Sequence, residues 1–168
     1  MMKMLGALGA AAVAITGGIV ASTPALAGPA IQRPFAADSG DACRYGSTEG
    51  TLTWQYGLFS SPLPLTAVDV RGTVTDHPLT GDTSFACRDD GFFSRATFTA
   101  YSGTAIVAER EAKADNAVVG FEFTLAPAKA AGQITRVVVQ VCRDPLVTLP
   151  PSYCGKAVAY DAPPVAAP

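Results

Sequence analysis

The chain is poor in the residues that most enzyme chemistries require. It has one histidine, one tryptophan and three methionines in 168 residues. With His77 as its single imidazole and no C-x-x-C or H-x-x-x-H spacing, a zinc set is excluded as an expectation. The cysteines lie too far apart in sequence for a redox dithiol. No G-x-S-x-G is present to raise a serine nucleophile. Lys and Arg number 12 and never cluster, so neither nucleic acid nor an anionic membrane is an expected partner. No amphipathic helical period appears beyond the N-terminal apolar stretch.

That stretch is the clearest signal present. Lys3 is followed by a charge-free run to Gln32, diluted by Gly6, Gly9, Gly17 and Gly18 and broken by Pro24. Ala25-Leu26-Ala27 supplies the small-x-small site of a signal peptidase, so residues 1–27 are expected to be a cleaved export signal. The glycines, Pro24 and the cleavage site favour this over a membrane span. No cysteine precedes Cys43 to carry a lipid, and residues 162–168 have neither an apolar tail nor a basic cluster. The expected product is secreted and free of the membrane after cleavage. The Ala-rich, Lys-poor composition resembles that of exported proteins of high-GC bacteria.

Removing residues 1–27 from the 168 leaves 141, enough for one domain with a core. Its formal charge is −3, from 11 basic and 14 acidic residues. Cys43, Cys87, Cys142 and Cys154 all follow the cleavage site, and an even count in an exported chain implies two disulfides. Four cysteines allow three pairings. Cys43–Cys87 with Cys142–Cys154 closes the cheaper loops. In the chain-entropy description the shorter bridge contributes about 3 kcal/mol and the longer about 4.

Residues 28–42 are Pro- and Ala-rich without period, and are expected to be a loose arm. Alternation then begins. Leu52, Trp54, Tyr56 and Leu58 share one face of a strand over 51–58. Val68, Val70 and Val74 do so over 66–76, with Gly72 as a possible bulge site. A short strand is possible at 85–87, and Ala96, Phe98 and Ala100 define another over 94–101. Residues 105–113 and 117–125 flank Ala114-Asp115-Asn116 as a hairpin. A β-branched run over 134–142 and a last strand near 156–160 follow. The tail 162–168 is expected to be disordered.

About seven strands with regular turn signals predict an all-β domain over 43–161. Its expected form is an antiparallel two-sheet β-sandwich with two disulfides. Cys43, Trp54 and Cys87 resemble the Cys…Trp…Cys order of the immunoglobulin fold, although the cysteines are only 44 positions apart and Phe85 replaces the tyrosine expected before the second cysteine. The resemblance covers about a quarter of the chain. It implies an immunoglobulin-like architecture only, and no binding role.

Each candidate site also has a plainer role. A hydrolase would need His77 as base with Asp76 or Asp82 orienting it, but a turn-rich segment commonly holds such residues. Glu109 and Glu111 share a strand face about 7 Å apart, a spacing that also suits a solvated face. Asp76, Asp82, Asp89 and Asp90 lack EF-hand spacing. Trp54, Tyr56, Phe92, Phe93, Phe98 and Tyr101 could stack sugars or pack a core. No catalytic set, metal or cofactor is expected. Binding is expected at Leu146, Val147 and Leu149, in a Pro-stiffened loop clipped by Cys142 and Cys154, or at Phe92-Phe93. The functional expectation is a non-enzymatic extracellular module whose partner is a protein or glycan. A protease inhibitor presenting loop 145–153 and a hydrolase using His77 are the alternatives.

Overall fold

The computed structural model describes residues 30–57, 67–79, 81, 83, 87–128 and 133–164. The expected export signal 1–27, Leu58, the expected turn at 60–64, Asp82, Phe85 and residues 165–168 lie outside these. Nine strands and no helix occur among the described residues: β1 (Ala30–Asp38), β2 (Gly46–Gln55), β3 (Ala67–Asp76), β4 (Phe92–Ser102), β5 (Ala105–Ala114), β6 (Val118–Leu125), β7 (Arg136–Pro145), β8 (Tyr153–Cys154) and β9 (Val158–Asp161). They form two antiparallel sheets. One runs β1-β2-β3-β6, the other β5-β4-β7, with β8 and β9 both pairing β7.

The two-sheet sandwich arises because β2, β3, β4 and β7 bury alternate residues. Leu52 and Trp54, Val68, Val70 and Val74, Ala96, Phe98 and Ala100, and Val137, Val139 and Val141 all face one interior. Its centre is aromatic. In the four-stranded sheet, Phe35, Gly50, Gly72 and Phe121 lie in one cross-strand row. The two glycines leave a slot, and Phe35 leans over it. A Cβ on Gly50 would stand 2.9 Å from the Phe35 ring and 2.2 Å from the Arg71 carbonyl oxygen. Phe98 inserts from the opposite sheet, with ring centroids 5.4 Å from Phe35, 5.2 Å from Phe121 and 5.3 Å from Phe123. Gly72 therefore marks close packing, and the ladder through it has no bulge.

Several expectations need correction. Residues 30–38 form edge strand β1, with Phe35 and Ala37 buried, where a loose arm was expected. Pro34 is tolerated there because an edge strand leaves one side of its ladder unpaired. Tyr160 covers part of that edge: its hydroxyl accepts from the Ala36 N–H and donates to the Ala36 carbonyl, both at 2.9 Å. β5 and β6 are not a hairpin, since β5 pairs β4 and β6 pairs β3. The turn between them crosses from one sheet to the other. Within the expected tail, Ala162 and Pro163 are held, through the Ala162 N–H to Thr135 and the Tyr56 hydroxyl to the Pro163 carbonyl.

Both expected disulfides are present, Cys43–Cys87 and Cys142–Cys154. Cys43–Cys87 ties the β1–β2 connection to the β3–β4 connection, and Trp54 lies on β2. In the immunoglobulin fold the bridge instead crosses the core between sheets. The shared architecture holds while the cysteine and tryptophan positions differ.

Candidate functional site

Four connections meet at one end of the sandwich: 39–45, the described residues of 77–91, 115–117 and 146–152. Both disulfides belong to this end. Beneath it lies a buried polar cluster that strand parity creates. Asp76 continues the inward series Val68, Val70, Val74. Ser94 precedes Ala96 and Phe98 on the same face. Arg143 follows Val137, Val139 and Val141. All three are fully buried. Gly46, opposite Asp76 in the register, leaves room for them: a Cβ there would stand 2.4 Å from the Ser94 hydroxyl oxygen.

Arg143 Nη1 pairs with Asp76 Oδ1 and donates to Ser94 Oγ at 2.7 Å. Arg143 Nη2 donates to Asp90 Oδ1 at 2.7 Å and to the Phe92 carbonyl at 3.2 Å. Ser94 Oγ donates to Asp76 Oδ1 at 2.6 Å. The Tyr45 ring lies 5.2 Å from the guanidinium carbon. Asp76 also holds the sheet-crossing turn, accepting the Asn116 N–H at 2.8 Å while its own N–H donates to the Ala117 carbonyl. Burial lowers the Arg143 pKa. Burial likewise raises that of Asp90, with Asp89 and Asp41 adding to the effect. A pair this deep is held by its hydrogen bonds, because Coulomb attraction alone does not offset desolvation.

The 146–152 loop is rooted on this cluster. Leu146 N–H donates to the Gly91 carbonyl at 3.0 Å. Asp144 accepts from Arg95 Nε at 2.5 Å and Nη2 at 3.2 Å, and the Ser152 side chain bonds it as well. Arg95 holds the Asp144 carboxyl below its ordinary value. Tyr153 meets Phe92 edge-on with centroids 5.6 Å apart. Cys142 and Cys154 are direct cross-strand partners. Above this base Leu146, Val147 and Leu149 are 54%, 69% and 76% exposed.

The second expected anchor divides. Phe92 is buried under Tyr153, so it offers no surface. Phe93 is half-buried, with Lys113 Nζ 5.8 Å from its ring centroid. The six aromatics considered as a sugar platform do not assemble on a surface. Trp54 and Phe98 are in the core, Tyr56 is tied to Pro163, and Tyr101 carries the Arg136 guanidinium 4.7 Å over its ring.

His77 lines a cleft of about 500 Å³ with Asp38, Arg44, Ser47, Glu49 and Lys156. A serine and two acids therefore share a cleft with His77. Asp38 is engaged elsewhere, accepting from Arg44 Nη2 at 2.8 Å and from the Gly40 N–H at 3.0 Å. Ser47 lies at the start of β2, paired with Asp38 and Thr75, instead of on a strand-to-helix elbow. The other carboxylates serve structure. Asp89 accepts from the Gly91 N–H and Asn116 Nδ2, Glu109 from Thr99, and Glu111 contacts Lys113 and Arg95. Among the described residues no three His, Cys, Asp or Glu side chains group to hold a metal. No family model, curated protein or solved structure matches the chain.

Proposed function

We propose that the protein is an exported, non-enzymatic binding module that engages a partner protein outside the cell through Leu146, Val147 and Leu149. The observation that carries this reading is their exposure on a loop whose base is fixed in four ways: the Cys142–Cys154 bridge, the Arg95–Asp144 pair, the Leu146–Gly91 hydrogen bond and the buried Arg143 cluster. Large exposed aliphatic side chains carry a solvation cost unless something covers them, and a preformed loop lowers the ordering cost of binding. The dispersal of the aromatics favours a protein partner over a glycan.

Export is supported by Lys3, Ala25-Leu26-Ala27 and the two disulfides, which suit an oxidising compartment. N-terminal sequencing of the secreted product should start at Gly28; retention of Met1 contradicts export. The binding reading is tested by capture from culture medium. Wild type and a Val147→Ser/Leu149→Ser variant are immobilised side by side after matching their melting temperatures. A partner retained by wild type and lost by the variant supports the loop as the contact. Partners retained equally by both refute it.

A further inference from the structure

We propose that the free edge of β6 pairs with the same edge of a second copy of the chain, joining two four-stranded sheets across a two-fold axis. This goes beyond the loop reading and does not depend on it. Among the described residues the sheet edges are β1 and β6 on one side, and β5, β8 and β9 on the other. An open edge invites another strand unless something blunts it. β1 is blunted by Pro34, which has no N–H, and by Tyr160, whose hydroxyl bonds both main-chain groups of Ala36. β5 carries a register shift beside Ala100/Tyr101, Lys113, and the charged Arg110 opposite the core residue Phe98. β8 and β9 have only two and four residues. β6 has none of these devices: it runs eight residues in unbroken register on β3, with no proline, lysine or arginine.

The register fixes what that edge offers. The Asp76 N–H donates to the Ala117 carbonyl at 2.9 Å. Alternate residues of an antiparallel strand turn their main-chain groups to the same side. Val119, Phe121 and Phe123 therefore bond β3, while Val118, Gly120, Glu122 and Thr124 turn their N–H and C=O groups outward. Such a row is met by another extended strand, and β6 is complementary to itself. With Phe121 on the two-fold axis, Val118 falls opposite Thr124 and Gly120 opposite Glu122, so every outward-turned residue is paired. Glu122, the one charge of the strand, then faces a residue without a side chain, and Arg71 stands 3.9 Å from it. Val119, 38% exposed, falls opposite Phe123, and the half-buried Phe121 meets its own copy. Moving the axis to Glu122 sets like charges opposite each other, and moving it to Gly120 leaves Thr124 unpaired. The pairing is isologous and closes at two copies.

Sedimentation velocity of the secreted protein, from about micromolar to about hundred-micromolar concentration, tests this. The expected result is a reversible dimer, with the amides of 118, 120, 122 and 124 exchanging more slowly in concentrated than in dilute solution. A Cβ on Gly120 meets nothing within 4 Å, and its N–H takes no part in the β3 ladder, so Gly120→Pro should leave the melting temperature near wild type. Gly120→Pro and Val119→Lys should each raise the dimer dissociation constant about tenfold or more. Gln32→Pro, on the β1 edge, should leave it unchanged. A monomer at every concentration, or a dimer that survives both β6 changes or is lost in Gln32→Pro, overturns the proposal.

Discussion

Arg143 on β7 reaches through the interior to Asp76 at the end of β3, and both side chains are fully buried. The contact joins the two sheets beneath the exposed loop. Removing one partner leaves an uncompensated buried charge, so Asp76→Ala should lose about 3–5 kcal/mol in urea denaturation. Asp76→Leu with Arg143→Met removes both charges and should cost clearly less than either single change. Additive losses would show that the two residues act independently.

The glycine slot makes a second prediction. A Cβ on Gly72 would stand 2.2 Å from the Glu49 carbonyl oxygen, and one on Gly50 as close to that of Arg71. Backbone cannot yield as a flexible side chain can. Gly50→Ala should cost about 3 kcal/mol through overpacking, read as a fall in denaturation midpoint at unchanged slope. Gly91→Ala meets no neighbour within 4 Å, and its φ of +72° carries only the backbone penalty. It should cost about 1 kcal/mol.

The disulfides should differ in consequence. Cys142→Ser/Cys154→Ser frees a short loop and should cost about 3 kcal/mol; Cys43→Ser/Cys87→Ser frees a longer one and should cost about 4. Only the first should raise amide exchange within 146–152. Equal loosening of that loop by both variants would mean that its shape depends on the whole end of the sandwich.

Acid should act through Asp144. Its carboxyl titrates below its ordinary value in the folded chain, held there by the Arg95 hydrogen bond against the opposing pull of desolvation. Such a group contributes stability that is complete above the unfolded pKa, about 3.9, and is lost as pH falls through the lower folded value. Asp90 has the opposite sign, since burial raises its pKa and protonation relieves that cost. Asp144→Asn should therefore lower the melting temperature at neutral pH and flatten its decline below about pH 4. A decline as steep as that of wild type would assign acid sensitivity to other carboxyls.

Much of this was legible in the alternation of the strands, because a half-buried strand must show period two. Leu52 and Trp54, Val68 and Val70, and Ala96 and Phe98 all face the interior as their spacing requires. β1 escaped because Pro34 and its alanines hide an alternation that only Phe35 and Ala37 express. β8 has two residues, too few for any period. The turn at Ala114-Asp115-Asn116 was legible as a turn. Its crossing between sheets was not, since that depends on Asp76 bonding Asn116 and Ala117 from another strand. The buried cluster did leave a signal: Asp76, Ser94 and Arg143 fall on inward parity, and only an opposite charge can make Arg143 tolerable there. Composition treats each as a surface residue, and the pairing is non-local. Leu146, Val147 and Leu149 were legible because a short Pro-rich connection has nowhere to bury them.

The most direct test of the account is differential hydrogen exchange of the protein alone and with the captured partner. The loop reading predicts new protection concentrated in 145–153 and its neighbour Gly91, with the His77 cleft and the outer face of β1, β2 and β3 unchanged. Protection at the His77 cleft or on that outer face, with 145–153 exchanging as in the free protein, would contradict it.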